Sequence, residues 1–190
     1  MALVPFSTVD ATALRWNRTG ETPTAFTLRA GDQEVATLTW EAAGGSTATA
    51  RTEGATWTLS RAGFLAPTVV VRLADAPEPV ARLSAHLARH EILITGTRPF
   101  RLRHVSHLVP AWRLTTDRGE EVLYVEPVPQ HRALQGGAVT VSSDVGGPAT
   151  LLLIVLTWYF VVVSWFEDEA IEALAPYEGP DPPIARGDPD

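Results

Sequence analysis

The stretch Ala149-Thr-Leu-Leu-Leu-Ile-Val-Leu-Thr-Trp-Tyr-Phe-Val-Val-Val-Ser-Trp-Phe166 decides the fold. It has eighteen residues and no charge, and as an α-helix it is about 27 Å long. Apolar residues cover every face, so such a helix must be surrounded completely, by lipid or by protein. Gly146-Gly147-Pro148 stands before it, and proline suits a first helical turn, where its missing N–H has no partner to lose. Glu167–Leu174 carries the helix toward water, and Pro176 stops it. The expected helix runs over about 148–174.

Two surroundings compete. As a membrane span the run is at the short end of the usual range, and Trp158 sits in its middle instead of at a boundary. No basic residue stands close to either end; the nearest is Arg132. The other surrounding is a closed β-barrel, and the preceding sequence has that pattern. From about Leu14 to Val141 the hydrophobic period is two, as in Val35-Ala-Thr-Leu38-Thr-Trp40 and Trp57-Thr-Leu59. Turn residues interrupt every eight to twelve positions. Twelve strands are expected, near 13–18, 24–30, 34–41, 46–53, 55–61, 68–73, 79–87, 91–95, 98–105, 111–116, 121–128 and 138–142. Twelve strands enclose more volume than their own side chains fill, and a closed sheet exposes no edge.

An internal repeat supports the count. Thr27–Leu38, Val71–Leu83 and Arg113–Val125 each read as strand, Asp-containing turn, acid, then a strand with an early valine. Asp32, Asp75 and Asp117 are 43 and 42 residues apart; Val35, Val80 and Val122 are 45 and 42 apart. Aspartate bonds its own backbone in tight turns. Three units of about four strands give twelve. A WD-type propeller has a similar period, but three blades are too few and no Trp-Asp pair occurs. Gly44-Gly45 and Gly136-Gly137 also read as turns. The expected organisation is an N-terminal segment 1–12, one domain over 13–175, and a disordered acidic Pro/Gly-rich tail over 176–190. Met1–Phe6 is apolar, but it lacks a basic start and Asp10 cuts it short, so it does not read as a signal peptide.

Composition removes whole classes of chemistry. The 190 residues include no cysteine, which excludes disulfides, thiol catalysis and Cys-based metal centres. All fifteen basic residues are arginine, which excludes a P-loop or Schiff-base lysine. No Gly-x-Ser-x-Gly or Ser-x-x-Lys occurs, and no glycine-rich phosphate loop follows a strand. His86 and His90 on one extended strand would be roughly 13 Å apart, too far to share a metal. His104 and His107 point to opposite faces of a strand. Glu167-Asp168-Glu169 lacks the ligand spacing of a calcium loop and reads as a solvated helix end. The six tryptophans read as core or barrel wall, while Asn17-Arg-Thr19 and Arg186-Gly-Asp188 are short chance motifs. No metal or cofactor is expected.

The net charge of −7 is unevenly placed. Residues 167–190 hold eight acids and one base, and residues 1–166 are neutral. Within the body, residues 82–118 hold seven arginines against Glu91 and Asp117. Nucleic acid is not expected, because the balance is acidic and aromatic residues hardly interleave with the bases. The candidate surface is Arg98-Pro-Phe100-Arg101-Leu102-Arg103-His104. If Phe100 and Leu102 face inward, Arg101 and Arg103 face outward together, about 7 Å apart. Arg113, on the next strand, joins them. Such a set holds a phosphate or a carboxylate; solvated arginines are the plainer reading.

Twelve strands with Asp-turn-Glu-Val hairpins, followed by one very hydrophobic helix, resemble the tubby C-terminal-like superfamily, with its LURP-one-related and phospholipid scramblase families. Ala55-Thr-Trp57-Thr-Leu-Ser-Arg61-Ala-Gly63-Phe64-Leu65 and the Val69–Leu83 hairpin resemble its small bacterial members. The resemblance covers about residues 12–170 and rests on architecture and hairpin spacing. It implies a twelve-stranded barrel around a central helix. It transfers no ligand residue, because the tubby phosphoinositide pattern needs lysine and this chain has none. The scramblases' cysteine-rich and calcium-binding segments have no counterpart.

The expected fold is therefore mainly β (α+β): a twelve-stranded antiparallel β-barrel closed around a central hydrophobic C-terminal helix. The expected function is a non-enzymatic binding or scaffold module, cytoplasmic and membrane-associated. Its partners would be anionic lipid headgroups or a protein, met at Arg101, Arg103 and Arg113. The alternative is a tail-anchored membrane protein with a cytosolic β-domain and 149–166 as its span. A third reading, a hydrolase with a spatially assembled site, needs a polar concave pocket with a Ser or Asp beside a histidine.

Overall fold

The computed structural model describes residues 2–21, 24–42, 45–63, 67–86, 89–105, 110–130, 133–143 and 145–174. Twelve strands follow in order: β1 (Leu14–Glu21), β2 (Thr24–Ala30), β3 (Gln33–Trp40), β4 (Thr47–Thr52), β5 (Thr56–Ala62) and β6 (Thr68–Leu73), then β7 (Pro79–His86), β8 (Arg89–Ile94), β9 (Phe100–His104), β10 (Trp112–Thr115), β11 (Glu121–Gln130) and β12 (Ala133–Val141). One helix, α1 (Gly147–Leu174), ends the described chain. Each strand pairs antiparallel with its neighbour in sequence, and β1 pairs with β12, so the sheet is a closed barrel. The expected tail 176–190 and His107 lie outside the described residues.

The period-two pattern works as the sequence implies. In β3, Ala36, Leu38 and Trp40 are buried while Thr37 and Thr39 are only half-buried. In β5, Trp57 and Leu59 are buried between half-buried polar residues. The three Asp-containing repeats become the β2–β3, β6–β7 and β10–β11 hairpins, four strands apart and at one end of the barrel. Gly31 (φ +57°) and Gly119 (φ +88°) supply the left-handed backbone that two of these turns require.

α1 runs through the middle. Every side chain from Thr150 to Val163 is buried. Trp158 stacks on Trp16 of β1 at 5.7 Å between centroids, and Tyr159 stacks on Trp40 of β3 at 5.5 Å. Phe26 of β2 meets Trp158 and Trp40 edge-on. Such stacked and edge-on pairs add to the area they bury. The run with the length of a membrane span is sheathed by the barrel. Where α1 leaves it, Tyr159 donates its O–H to the Ser46 carbonyl, and Arg61 of β5 pairs with Glu167.

Burial pushes the Tyr159 hydroxyl up to about 12, against the pull of Arg61 and with the help of Glu167. An unfolded tyrosine ionises near pH ~10. The neutral form is therefore favoured in the fold, and its contribution is complete below that pH. Stability should fall as pH rises from about 10 to 12, with a slope set by one proton. Urea midpoints across this range check it. Tyr159→Phe should flatten that part of the decline, at the loss of one hydrogen bond worth about 1 kcal/mol.

Two expectations are corrected. Gly136-Gly137 is not a turn: β12 starts at Ala133, five residues before the expected strand, and both glycines lie inside it at the β1 seam. A Cβ on Gly136 would stand 2.0 Å from the Trp16 carbonyl oxygen. One on Gly137 would stand 2.8 Å from both the Glu126 carbonyl oxygen and the Trp158 ring. Glycine is needed there for close approach. His90, expected between the seventh and eighth strands, lies on β8, which starts at Arg89, with Ala85 of β7 opposite it.

Candidate functional site

β9 builds the candidate surface from its alternation. Phe100 and Leu102 are buried, so Arg101 and Arg103 point outward together, as the spacing implies. β10 lies antiparallel to it with Arg113 directly opposite Arg103 and Thr115 opposite Arg101. On the other side, Glu91 of β8 is opposite Arg101. The structure thus brings the three expected arginines onto one outer face of β9 and β10.

Their circumstances differ. Arg113 is held: its Nε donates to Glu121 Oε2 at 2.8 Å, and its guanidinium lies 6.0 Å above the Tyr124 ring. Among the described residues, neither Arg101 nor Arg103 has an ion-pair partner within 4.0 Å. Like charges directly opposite on neighbouring strands repel. The Arg103–Arg113 pair therefore favours any anion that sits between its two guanidinium groups. A cavity of about 50 Å³ lies beside them, lined by His90, Glu91, Arg101, Leu102 and Arg103. His104, exposed at the end of β9, meets Trp112 edge-on at 5.0 Å.

Sequence reasoning did not identify Glu91, Glu121 and Tyr124 as members of this surface. They are 10 to 23 residues from Arg101 in the chain and reach the surface only through strand register. Glu91 makes the surface less basic than the arginine count implies, and Glu121 with Tyr124 fixes Arg113 in place. The opposite wall is different in kind. Thr37, Thr39 and Thr49 of β3 and β4 line a depression of about 390 Å³ with Glu41 and Arg51. Arg29, on neighbouring β2, is paired with Glu34.

A third cavity, about 250 Å³, lies at the barrel end where α1 starts. Val4, Phe6, Trp57 and Leu151 make it largely apolar, and among the described residues Glu53 is the only acid or base in its lining. Among the described residues no group of three or more metal-ligating side chains comes together. Comparison of the chain with family models, with curated proteins and with solved structures returns no match.

Proposed function

We propose that this barrel is a non-enzymatic, tubby-like binding module that docks on the anionic phospholipid of a cytoplasmic membrane surface. The observation that carries the reading is the pair Arg101 and Arg103, outward, side by side and without ion-pair partners among the described residues, with Arg113 across from Arg103. Phosphodiester headgroups accept hydrogen bonds from two such forks at once. The apolar helix serves the core, so the contact is peripheral and electrostatic. Tubby-like membership draws its support from the twelve-stranded closure around that helix.

Each basic residue near an anionic surface is worth about 1 kcal/mol. Arg101→Ala with Arg103→Ala should therefore weaken binding to phosphatidylserine-containing vesicles about 30-fold. Vesicle co-sedimentation measures this. Binding of the natural chain should be absent on pure phosphatidylcholine and should fall as salt rises. Unchanged binding by the double variant would remove these arginines as the site.

A further inference from the structure

We propose that the acidic segment beyond α1 docks back on the Arg101/Arg103 face and competes there with the membrane surface. The proposal rests on the reading of that face as a headgroup site and concerns its regulation. Three observations carry it: charge, exit point and reach.

Beyond α1, residues 175–190 hold Glu178, Asp181, Asp188 and Asp190 against Arg186, a net −3, while residues 1–166 are neutral and the other four acids lie on α1 itself. A segment of that sign is drawn to the arginine face, where Arg101 and Arg103 have no ion-pair partner among the described residues. The threonine wall of β3 and β4 offers it only Arg51, with Glu41 alongside. The exit point favours the same docking. α1 leaves the barrel at the end where Arg61 holds Glu167. β9 runs toward that end, so Arg103 lies nearer the exit than Arg101 does. Inside the barrel Phe160 packs on Trp112 at 5.3 Å and on His90 at 4.6 Å, at the level of Arg103 and Arg113.

Reach follows from chain geometry. From Phe160 to Leu174 is fourteen residues of helix, about 21 Å of rise. Twelve strands at ~4.8 Å spacing put the barrel wall about 10 Å from its axis. The path from Leu174 back to Arg103 is therefore about 25 Å. An extended chain covers at most ~3.3–3.6 Å per residue. Asp181, seven residues past Leu174, reaches about 24 Å; Asp188, fourteen past, reaches about 48 Å. The first arrives at full extension and the second with slack. A tethered ligand within reach acts at an effective concentration of order millimolar, enough for weak charge pairs to compete with a surface.

The test uses the full chain. In Glu178→Gln/Asp181→Asn/Asp188→Asn/Asp190→Asn the competing charge is gone. Its binding to phosphatidylserine-containing vesicles at low salt should be about five-fold tighter than that of the natural chain. The chain has no cysteine, so Ala185→Cys takes a single nitroxide label. At low salt that label should broaden the amide signals of Arg101–His104 and Trp112–Leu114, and the broadening should vanish in high salt and in Arg101→Ala/Arg103→Ala. Broadening spread evenly over the barrel, or none, overturns the docking. Vesicle binding unchanged by the tail substitutions overturns the competition and leaves the membrane reading standing. Local broadening with no vesicle binding by either chain keeps the docking and overturns the membrane reading.

Discussion

Gly136→Ala is expected to cost at least about 3 kcal/mol, a fall in Tm of roughly 6–12 °C for a chain of this size. The added Cβ has nowhere to go. It would meet the Trp16 carbonyl oxygen at 2.0 Å and Asn17 Cα at 3.2 Å, both backbone atoms of the partner strand. Relief requires β1 and β12 to part, and that pair is the seam that closes the barrel. The φ of +156° adds a conformation that side-chain-bearing residues rarely adopt. Gly137→Ala should also destabilise, because its Cβ meets Trp158 at the centre of the aromatic stack. The control is Gly147→Ala, at the start of α1, where no atom lies within 4 Å of the new Cβ. That change should be neutral or slightly stabilising. Thermal melts followed by near-UV circular dichroism distinguish the three. Equal melting of Gly136→Ala and Gly147→Ala would mean that the seam does not close as described.

Ile154→Asp is expected to abolish the compact soluble chain. Ile154 is wholly buried between α1 and the barrel wall. A carboxylate placed there without a partner costs several kcal/mol, comparable to the stability of an entire domain, about 5–15 kcal/mol. Ile154→Leu keeps the volume and should cost under about 1.5 kcal/mol. Size-exclusion chromatography without detergent reads the difference. The natural chain and Ile154→Leu should elute as one compact species, and Ile154→Asp should aggregate. A natural chain that needs detergent would instead place residues 149–166 in lipid and overturn the sheathed helix.

Much of this architecture is legible in the chain. Period-two alternation is a property of each strand by itself, so the positions of eleven strands follow closely from residues such as Leu38, Trp40, Trp57 and Leu59. The exception, β12, shows why local reading fails there. A Gly-Gly pair is a common turn signal, and only the distance from Gly136 to the Trp16 backbone shows that the pair serves close packing. His86 and His90 are a second case, since a two-residue shift in the start of β8 moves His90 from a turn onto a paired strand. The candidate surface divides the same way. Outward pointing of Arg101 and Arg103 is a matter of alternation within β9, but the opposition of Arg103 to Arg113 needs the register between strands.

The sequence by itself determined that a charge-free eighteen-residue helix must be enclosed, that about twelve short strands precede it, and that thiol and lysine chemistry are absent. Each of these depends on composition or on spacing within one segment. The tertiary structure decided what encloses the helix, because lipid and a ring of inward-facing side chains are equally apolar and a helix cannot choose between them by its own residues. It also decided which acids temper the arginines. Glu91 and Glu121 are brought there by cross-strand register, which is set by the closure of all twelve strands together.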